Sequence, residues 1–527
     1  MKKYLILFLP AALLVLSAGF SAGNTGAPDN FKIGWASLDI TPDQPVLLSG
    51  QFHARVSEGI MDPLTVTALA LESGSGPSSE KTIMISADLV VITDGTRDGS
   101  ADNLRDNVRR ILQESIPELR PEQIILNATH THSGPLYSTG ADAMEAYGVE
   151  LDAMPPAECL SFLSERIAIV AERAWNNRRV GGISYGQGQA VVSHNRLQVD
   201  LSGNSNMYGN VNRPEFSHME GFEDHSVNLL FTWDGSRNLT GVLINLAAPS
   251  QVSEHEYRLS ADFWHDTRIE LRKRLGKDIF IFPQCSAAGD QSPHVMVGAG
   301  AEERMQRIKF PGVESGRGSL ARRKQIAIRI SDAVTSVFPY MRDHIEWDPV
   351  FSHRMEVMEL SRRLMSKEDV EGAISESEQW RERYEQLLLD LEKNPAIKNK
   401  PRWYYEISRS FSRMSWGQNV SRRYEMEKVQ PLLPVEAHVI RIGDIVIATN
   451  PFELYLDYGM RIKARSPAVQ TFIVQLAGSG TYLPTSRSIA GGAYGAVPAS
   501  TLIGPEGGEE FVEKTLEMIN NAWQGEK

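Results

Sequence analysis

The sequence predicts an α/β fold: one large domain of mixed β-sheets flanked by helices, interrupted by a helical insertion. Three observations predict it. Short β-rich apolar runs alternate with amphipathic helical stretches along most of the chain. Several of those runs empty directly into polar, chemistry-bearing loops. Residues 362–430 break the alternation with a highly charged, tryptophan-bearing helical stretch.

Taken in order, Met1-Lys2-Lys3 is a basic start, and an apolar run from Tyr4 to about Leu16 leads into small residues ending near Ala22. This is the pattern of a secretory signal peptide over residues 1–22. The apolar run is short for a span of about 20 residues, and no later segment is long and apolar enough to cross a bilayer. The expectation is an exported protein, periplasmic or extracellular, with no transmembrane anchor after cleavage.

Leu64 to Leu71, Thr82 to Ile92 and Gln123 to Ala128 read as strands. Asn103 to Ile116 reads as a helix, with Val108, Ile111 and Leu112 on one face. Pro155 to Asn176 is a second helix. Val227 to Trp233 and Gly241 to Ala247 read as paired strands, joined by a turn that starts at Asp234-Gly235. Phe263 to Arg274 is helical, Asp278 to Gln284 a buried strand, and Ala321 to Val337 helical.

In the insertion, Ser366 with Asp369 is a helix-start signature. Trp380, Tyr384, Leu387, Leu388 and Leu391 follow at helical spacing until Asn394-Pro395. We read a helical insertion packed on the main body, either as a surface hairpin or as a roof over the site. Trp403-Tyr404-Tyr405 and Trp416 form either an apolar rim for a lipid or the insertion's own core, and the second reading is favoured. The main fold resumes as two strands from Val435 to Ala448 around Ile442-Gly443, and a final helix spans Glu509 to Trp523.

Composition excludes several function classes. The chain has 527 residues, 42% hydrophobic and 23% charged, which is ample apolar surface for a globular core. Lys plus Arg is 54 and Asp plus Glu is 66, a net charge of −12. That balance argues against non-specific nucleic-acid binding, which needs clustered cations. Two cysteines, Cys159 and Cys285, exclude a disulfide scaffold and a four-cysteine zinc site. A single bridge between them stays open, with a buried free thiol at Cys285 favoured.

Four loops carry candidate chemistry. In Ala128-Thr129-His130-Thr131-His132-Ser133-Gly134-Pro135, two histidines at i and i+2 share a face if the chain stays extended, where they can share a metal or a substrate. Gly289-Asp290-Gln291-Ser292-Pro293-His294 presents a serine hydroxyl from a turn at the end of a strand. Asn450-Pro451-Phe452-Glu453 places a carboxylate at a strand end, as a ligand or a base. Gly478 to Thr485 contains Tyr482, and Tyr494 follows in a glycine-rich stretch. Each motif alone is also compatible with a structural role.

In this order the motifs resemble the catalytic domain of the neutral ceramidase family. The resemblance begins at Gly34 and Asp39-Ile40-Thr41-Pro42 and runs through the His130 loop, Asn195-Arg196, Ser260-Ala261-Asp262, Gly289 to Pro293, Glu453 and Tyr482. It implies a catalytic domain over residues 32–525 and a zinc-dependent amidase acting on an N-acyl bond, that of ceramide or a related molecule. It implies His130, Glu453 and Tyr482 as zinc ligands. His132, Arg196 and Tyr494 are implied on the substrate side, where they can donate to a developing oxyanion. Ser292 matches the serine proposed as nucleophile, and either it or the metal's water can attack.

Three departures stand out. Pro249 occupies the place of the family's other zinc histidine, and proline has no side-chain donor. His255 or Glu254 can reach back, with His265 a weaker candidate. Alternatively the site holds metal with the remaining ligands and water, or has largely lost its affinity. The chain leaves no room for the C-terminal β-sandwich of longer members. The insertion is the third. They leave three readings: an N-acyl amidase, a hydrolase on the same fold for an ester- or glycan-type substrate, and a binding protein without metal. The expected partner is a small-molecule or lipid substrate; no sequence feature specifies an oligomeric state.

Overall fold

The structure is a computed structural model that describes residues 31–97, 99–138 and 142–524. The signal peptide expected at residues 1–22 lies outside the described residues.

Two sheets stack face to face with helices on both outer sides, giving four layers. The larger sheet has eight strands in the spatial order Phe280–Cys285, Leu239–Leu246, Ser226–Asp234, Arg179–Gln189, Phe31–Asp39, Thr65–Ser73, Glu80–Ala87 and Ile124–Ala128. Its centre is antiparallel, but the pair at each edge is parallel. The smaller sheet runs Phe351–Ser361, Leu432–Ile442, Ile445–Thr449 and Gln470–Val474, and its last pair is also parallel.

Alternating side chains explain the stacking. Phe31, Ile33, Trp35 and Leu69 of the large sheet meet Ile440, Ile445 and Phe472 of the small one in one buried cluster. The opposite face of the large sheet is covered by helices Leu104–Ser115 and Pro156–Asn176 at one end. Helices Phe263–Leu275 and Leu320–Met341 cover the other end. Helices Leu456–Arg465 and Pro505–Trp523 cover the small sheet.

Two differences from the sequence reading have physical causes. The expected strand from Thr82 to Ile92 stops at Ala87. Beyond it the Asp88 carboxylate accepts from the Thr65 amide and pairs with Arg268, while the Leu89 carbonyl accepts from the amides of His130 and Thr131. The apolar tail is a buried loop under the site rather than more strand. Conversely, Arg179–Gln189 is an eleven-residue strand whose four glycines hide it from propensity reading. A side chain at Gly186 would strike Val337 and Met341, and one at Gly188 would strike Ala333. These glycines let helix Leu320–Met341 lie directly on the strand.

The insertion is a helical hairpin, Lys367–Lys393 and Tyr405–Val429. Ser366 and Asp369 exchange both capping-box bonds at its start. Trp403 and Tyr404 are neither an open rim nor the insertion's private core. They pack with Leu47, Ala54 and Tyr147 of the main body, and the Tyr404 hydroxyl accepts from the Val56 amide at 3.3 Å. The insertion is docked through its aromatics. Cys159 and Cys285 are both free and buried.

Candidate active site

The candidate loops leave the carboxyl ends of strands in both sheets, and parallel pairs bring those ends together. Strand Ile124–Ala128 leads to His130 and His132. Strand Leu239–Leu246 leads to Gln251 and Glu254, and Phe280–Cys285 leads to Ser292. Ile445–Thr449 leads to Glu453, and Gln470–Val474 leads to Tyr482. Backbone bonds tie the loops to one another: Ala128 N to Leu476 O, Ser250 N to Thr129 O, and Gly289 N to Leu454 O. The buried Asp290 carboxyl adds a clamp, accepting from Asn195 Nδ2 and the Leu456 amide, both at 2.9 Å.

His130 and His132 do converge, but not by strand alternation. His130 sits at φ 65°, in the left-handed region, a conformation that costs a non-glycine residue about 1–3 kcal/mol. The turn brings the two Nε2 atoms to 3.4 Å. His130 Nδ1 lies 2.6 Å from the Val90 carbonyl, to which it donates, and this fixes the ring. His130 Nε2 faces Glu453 Oε2 at 3.4 Å. Burial opposes ionisation of Glu453, yet His130, Arg196 and Tyr482 together hold its carboxyl at about 2. Burial, then the neighbouring His130, pushes His132 down to about 3, so it is a neutral imidazole.

Arg196 is buried at the centre. One Nη donates to Gly289 O at 2.8 Å and to the Tyr482 hydroxyl at 3.2 Å, and lies 3.8 Å from Glu453. The other donates to the Tyr208 hydroxyl at 3.0 Å and to Gln251 Oε1 at 3.3 Å. Despite its burial, Tyr208, Tyr482 and Glu453 push its pKa up, so it stays charged. Its Nε has no partner among the described residues. Tyr494 meets Tyr482 edge to face, with ring centres 5.8 Å apart, and burial pushes its phenol up to about 12.

Ser292 is fully buried. Its hydroxyl accepts from the His294 amide at 3.1 Å and from the Tyr208 hydroxyl at 3.3 Å, and neither partner is a base. Pro249 is buried and carries no donor. The two proposed replacements do not fill its place. His255 is 79% exposed at its side chain and lies beside Glu254 at 3.7 Å. Glu254 faces the far side of His132, 3.9 Å from Nδ1, and its Oε1 lies 2.9 Å from His294 Nε2. Gln251 instead reaches the inner face, its Nε2 2.8 Å from His132 Nε2. Among the described residues, no group of three or more His, Cys, Asp or Glu side chains is placed to hold a metal ion. The donors that meet here are His130, Glu453 and the Tyr482 phenol.

Sequence reasoning missed Tyr208 and Gln251, and named Trp416 only as a rim or core residue of the insertion. Tyr208 comes from a polar hairpin and is held at φ 66°, which sequence does not show. Gln251 sits two residues after Pro249, in a stretch with no motif to mark it. Trp416 of the insertion stacks on Tyr494 at 5.7 Å and meets Phe52 at 5.4 Å. The insertion therefore supplies part of the site wall. A cavity of about 310 Å³ opens onto His130, Glu453 and Tyr494, bounded by Gly50, Phe52 and Arg97.

No family model matches this sequence, and no curated protein matches it. Solved structures do share its fold. A crystal structure of neutral ceramidase from Pseudomonas aeruginosa aligns over 94% of this chain and 75% of that one, with TM-score 0.64 and 16% identity. A ceramidase complexed with C2 aligns over 93% and 75%, with TM-score 0.63 and 15% identity. The chain therefore has the neutral ceramidase fold.

Proposed function

We propose that the chain is an exported, zinc-dependent hydrolase of neutral ceramidase type, cleaving an N-acyl amide bond in ceramide or a related N-acylated molecule. The observation that carries this reading is the convergence of His130, Glu453, Tyr482 and Arg196 in one buried cluster, on a fold shared with two solved ceramidases.

The donor set suits zinc in kind. It comprises an imidazole with its Nδ1 proton fixed on a carbonyl, a carboxylate and a phenol, with one position left for water or substrate. In this proposal His130 Nε2, Glu453 and Tyr482 hold the metal, and Pro249 is why a fourth protein ligand is missing. Zinc, when bound, polarises the amide carbonyl and acidifies water.

The chain's own groups do the rest. Arg196 and the Tyr494 phenol donate to the oxygen that gains charge as the carbonyl is attacked. His132, a neutral imidazole, lines the substrate side of the reacting bond beside His130. Gln251 fixes the plane of His132. Phe52, Trp416 and Tyr494 exclude water from the reacting bond.

The test is metal content of the mature protein with His130→Ala and Glu453→Ala as controls, coupled to an amide and ester panel. About one zinc per chain, lost in both variants together with amide cleavage, is the expected result. Pro249 favours one second reading, a binding protein that lacks the metal. Absence of zinc after it was offered during purification, with no turnover of any substrate, selects that reading.

A further inference from the structure

The cavity over His130 and Glu453 does not end at Tyr494. Arg97 lines it and also lines a neighbouring cavity of about 430 Å³, with Ser49, Val90 and Val91 shared between the two. Asn419 and Arg422 of the insertion form the far wall of the second cavity. Beyond lies a crevice of about 210 Å³ lined by Arg97, Arg362, Arg422 and Arg423, with no carboxylate among the described residues of its lining.

This gathering of guanidinium groups has few close counter-charges among the described residues. Among the described residues, none of Arg97, Arg362, Arg363, Arg422 and Arg423 forms an ion pair, in a chain whose net charge is −12. Arg423 is buried and donates only to carbonyl oxygens, those of Thr501 at 2.9 Å, Pro498 at 2.8 Å and Asn419 at 3.4 Å. Burial, and then Arg97, Arg422, Arg363 and Arg362, depress its pKa to about 10. The acids nearby are engaged or to one side. Asp94 accepts from Ser479 and pairs with Arg105. Glu427 accepts from the Met365 amide and faces Arg362. Asp369 faces Arg363 from the far side.

A buried arginine on carbonyls is not by itself a ligand site. Arg55 is fully buried on the carbonyls of Glu254, Glu256 and His132, in isolation. The mouth differs because several like charges face one crevice that adjoins the candidate site through Arg97. Like charges held together without counterions lack a partner of opposite sign.

Resting on the amidase reading above, we propose that this arginine crevice binds an anionic oxyacid group on the polar end of the substrate. The molecule cleaved is then an N-acylated compound with a phosphate, sulfonate or carboxylate head, in place of one with an uncharged head. Guanidinium groups suit such heads because they donate in pairs to their oxygens.

The experiment uses the mature full-length chain and a matched pair of probes, N-octanoylethanolamine and its O-phosphate. Binding is measured by calorimetry in wild type, in Arg422→Gln and in the Arg97→Gln/Arg422→Gln double variant. Both side chains are exposed, and circular dichroism confirms folding. The expected result is about tenfold or tighter binding of the phosphate probe in wild type, falling to about twofold or less in the double variant and weakening with salt. Equal affinity for the two probes, or a preference that survives the double variant, overturns the proposal. Inorganic phosphate is the third arm: if it binds as tightly as the acyl phosphate, the crevice is a free-anion site and the substrate assignment fails. Hydrolysis of the same pair separates the two ideas. Selective binding without cleavage sinks the amidase and leaves the anion site. Cleavage of both probes at equal kcat/KM, with equal binding, does the reverse.

Discussion

Arg268 and Arg423 are both buried arginines on helices, and their surroundings are opposite. Arg268 grips Asp88 with two bonds, at 2.7 and 3.1 Å. Arg323 reaches Asp62 and Asp266, both at 2.8 Å, and Arg109 holds Glu436 from the neighbouring sheet. Arg423 has carbonyl oxygens and four other arginines. Around Arg268, Arg323 and Arg109, charge is matched and joins layers, whereas Arg55 and Arg322, also in the body, donate mainly to carbonyls, each on its own. At the mouth, Arg422 and Arg423 of the insertion, and Arg97, form no ion pair among the described residues. The difference separates arginines that hold the fold from arginines available to something outside it.

The largest effect that sharpens this comparison lies in the body. Asp88→Ala leaves Arg268 charged and buried, and should cost about 3–5 kcal/mol of stability in denaturant unfolding. It should leave any preference between charged and neutral probes unchanged; a changed preference would break the division. Arg196 is a third type, buried among phenols and facing the site. Arg196→Met should lower kcat by about a hundredfold to a thousandfold, with a smaller change in unfolding free energy.

Glu436 tests the body by pH. Burial works against its charge, but His438 and Arg109 hold its carboxyl well below the usual carboxylate range. Its folded pKa lies below its unfolded one, so its contribution is present above about pH 4.5 and is lost as pH falls through the folded value. Glu436→Gln should therefore lower stability at pH 7 and flatten its decline on acidification, read from thermal unfolding between pH 7 and 3. The smallest effect is at the surface. Arg465 pairs with Glu513 where both side chains are about half exposed, and Arg465→Ala should leave the thermal unfolding midpoint essentially unchanged.

The sequence exposed the layers well where periodicity was clean. Strands such as Gly241 to Ala247 and helices such as Asn103 to Ile116 appear within a few residues of their predicted bounds. Strand Arg179–Gln189 was hidden because its glycines answer to distant segments, Gly186 and Gly188 to helix Leu320–Met341, which no local pattern records. The motif loops were legible as residue types, and the structure does bring His130, His132, Glu453, Tyr482 and Arg196 together. What was not legible was long-range. The left-handed turn at His130, the arrival of Gln251 beside His132, and the stacking of Trp416 on Tyr494 all depend on contacts between distant segments.

The insertion leaves the small sheet at Ser361 and returns at Leu432, and these two residues are register partners at the end of one antiparallel pair. It is therefore the tip of a β-hairpin grown to some seventy residues. No strand order changes if that tip is shortened or exchanged, because its two ends are already neighbours. Yet it carries Trp416 and the Arg422–Arg423 pair. The part of the molecule that walls the cavity and sets its charge is a detachable cassette, and the part that holds His130 and Glu453 is the chassis. Such an architecture lets selectivity drift from one descendant to another while the reaction centre stays where it is.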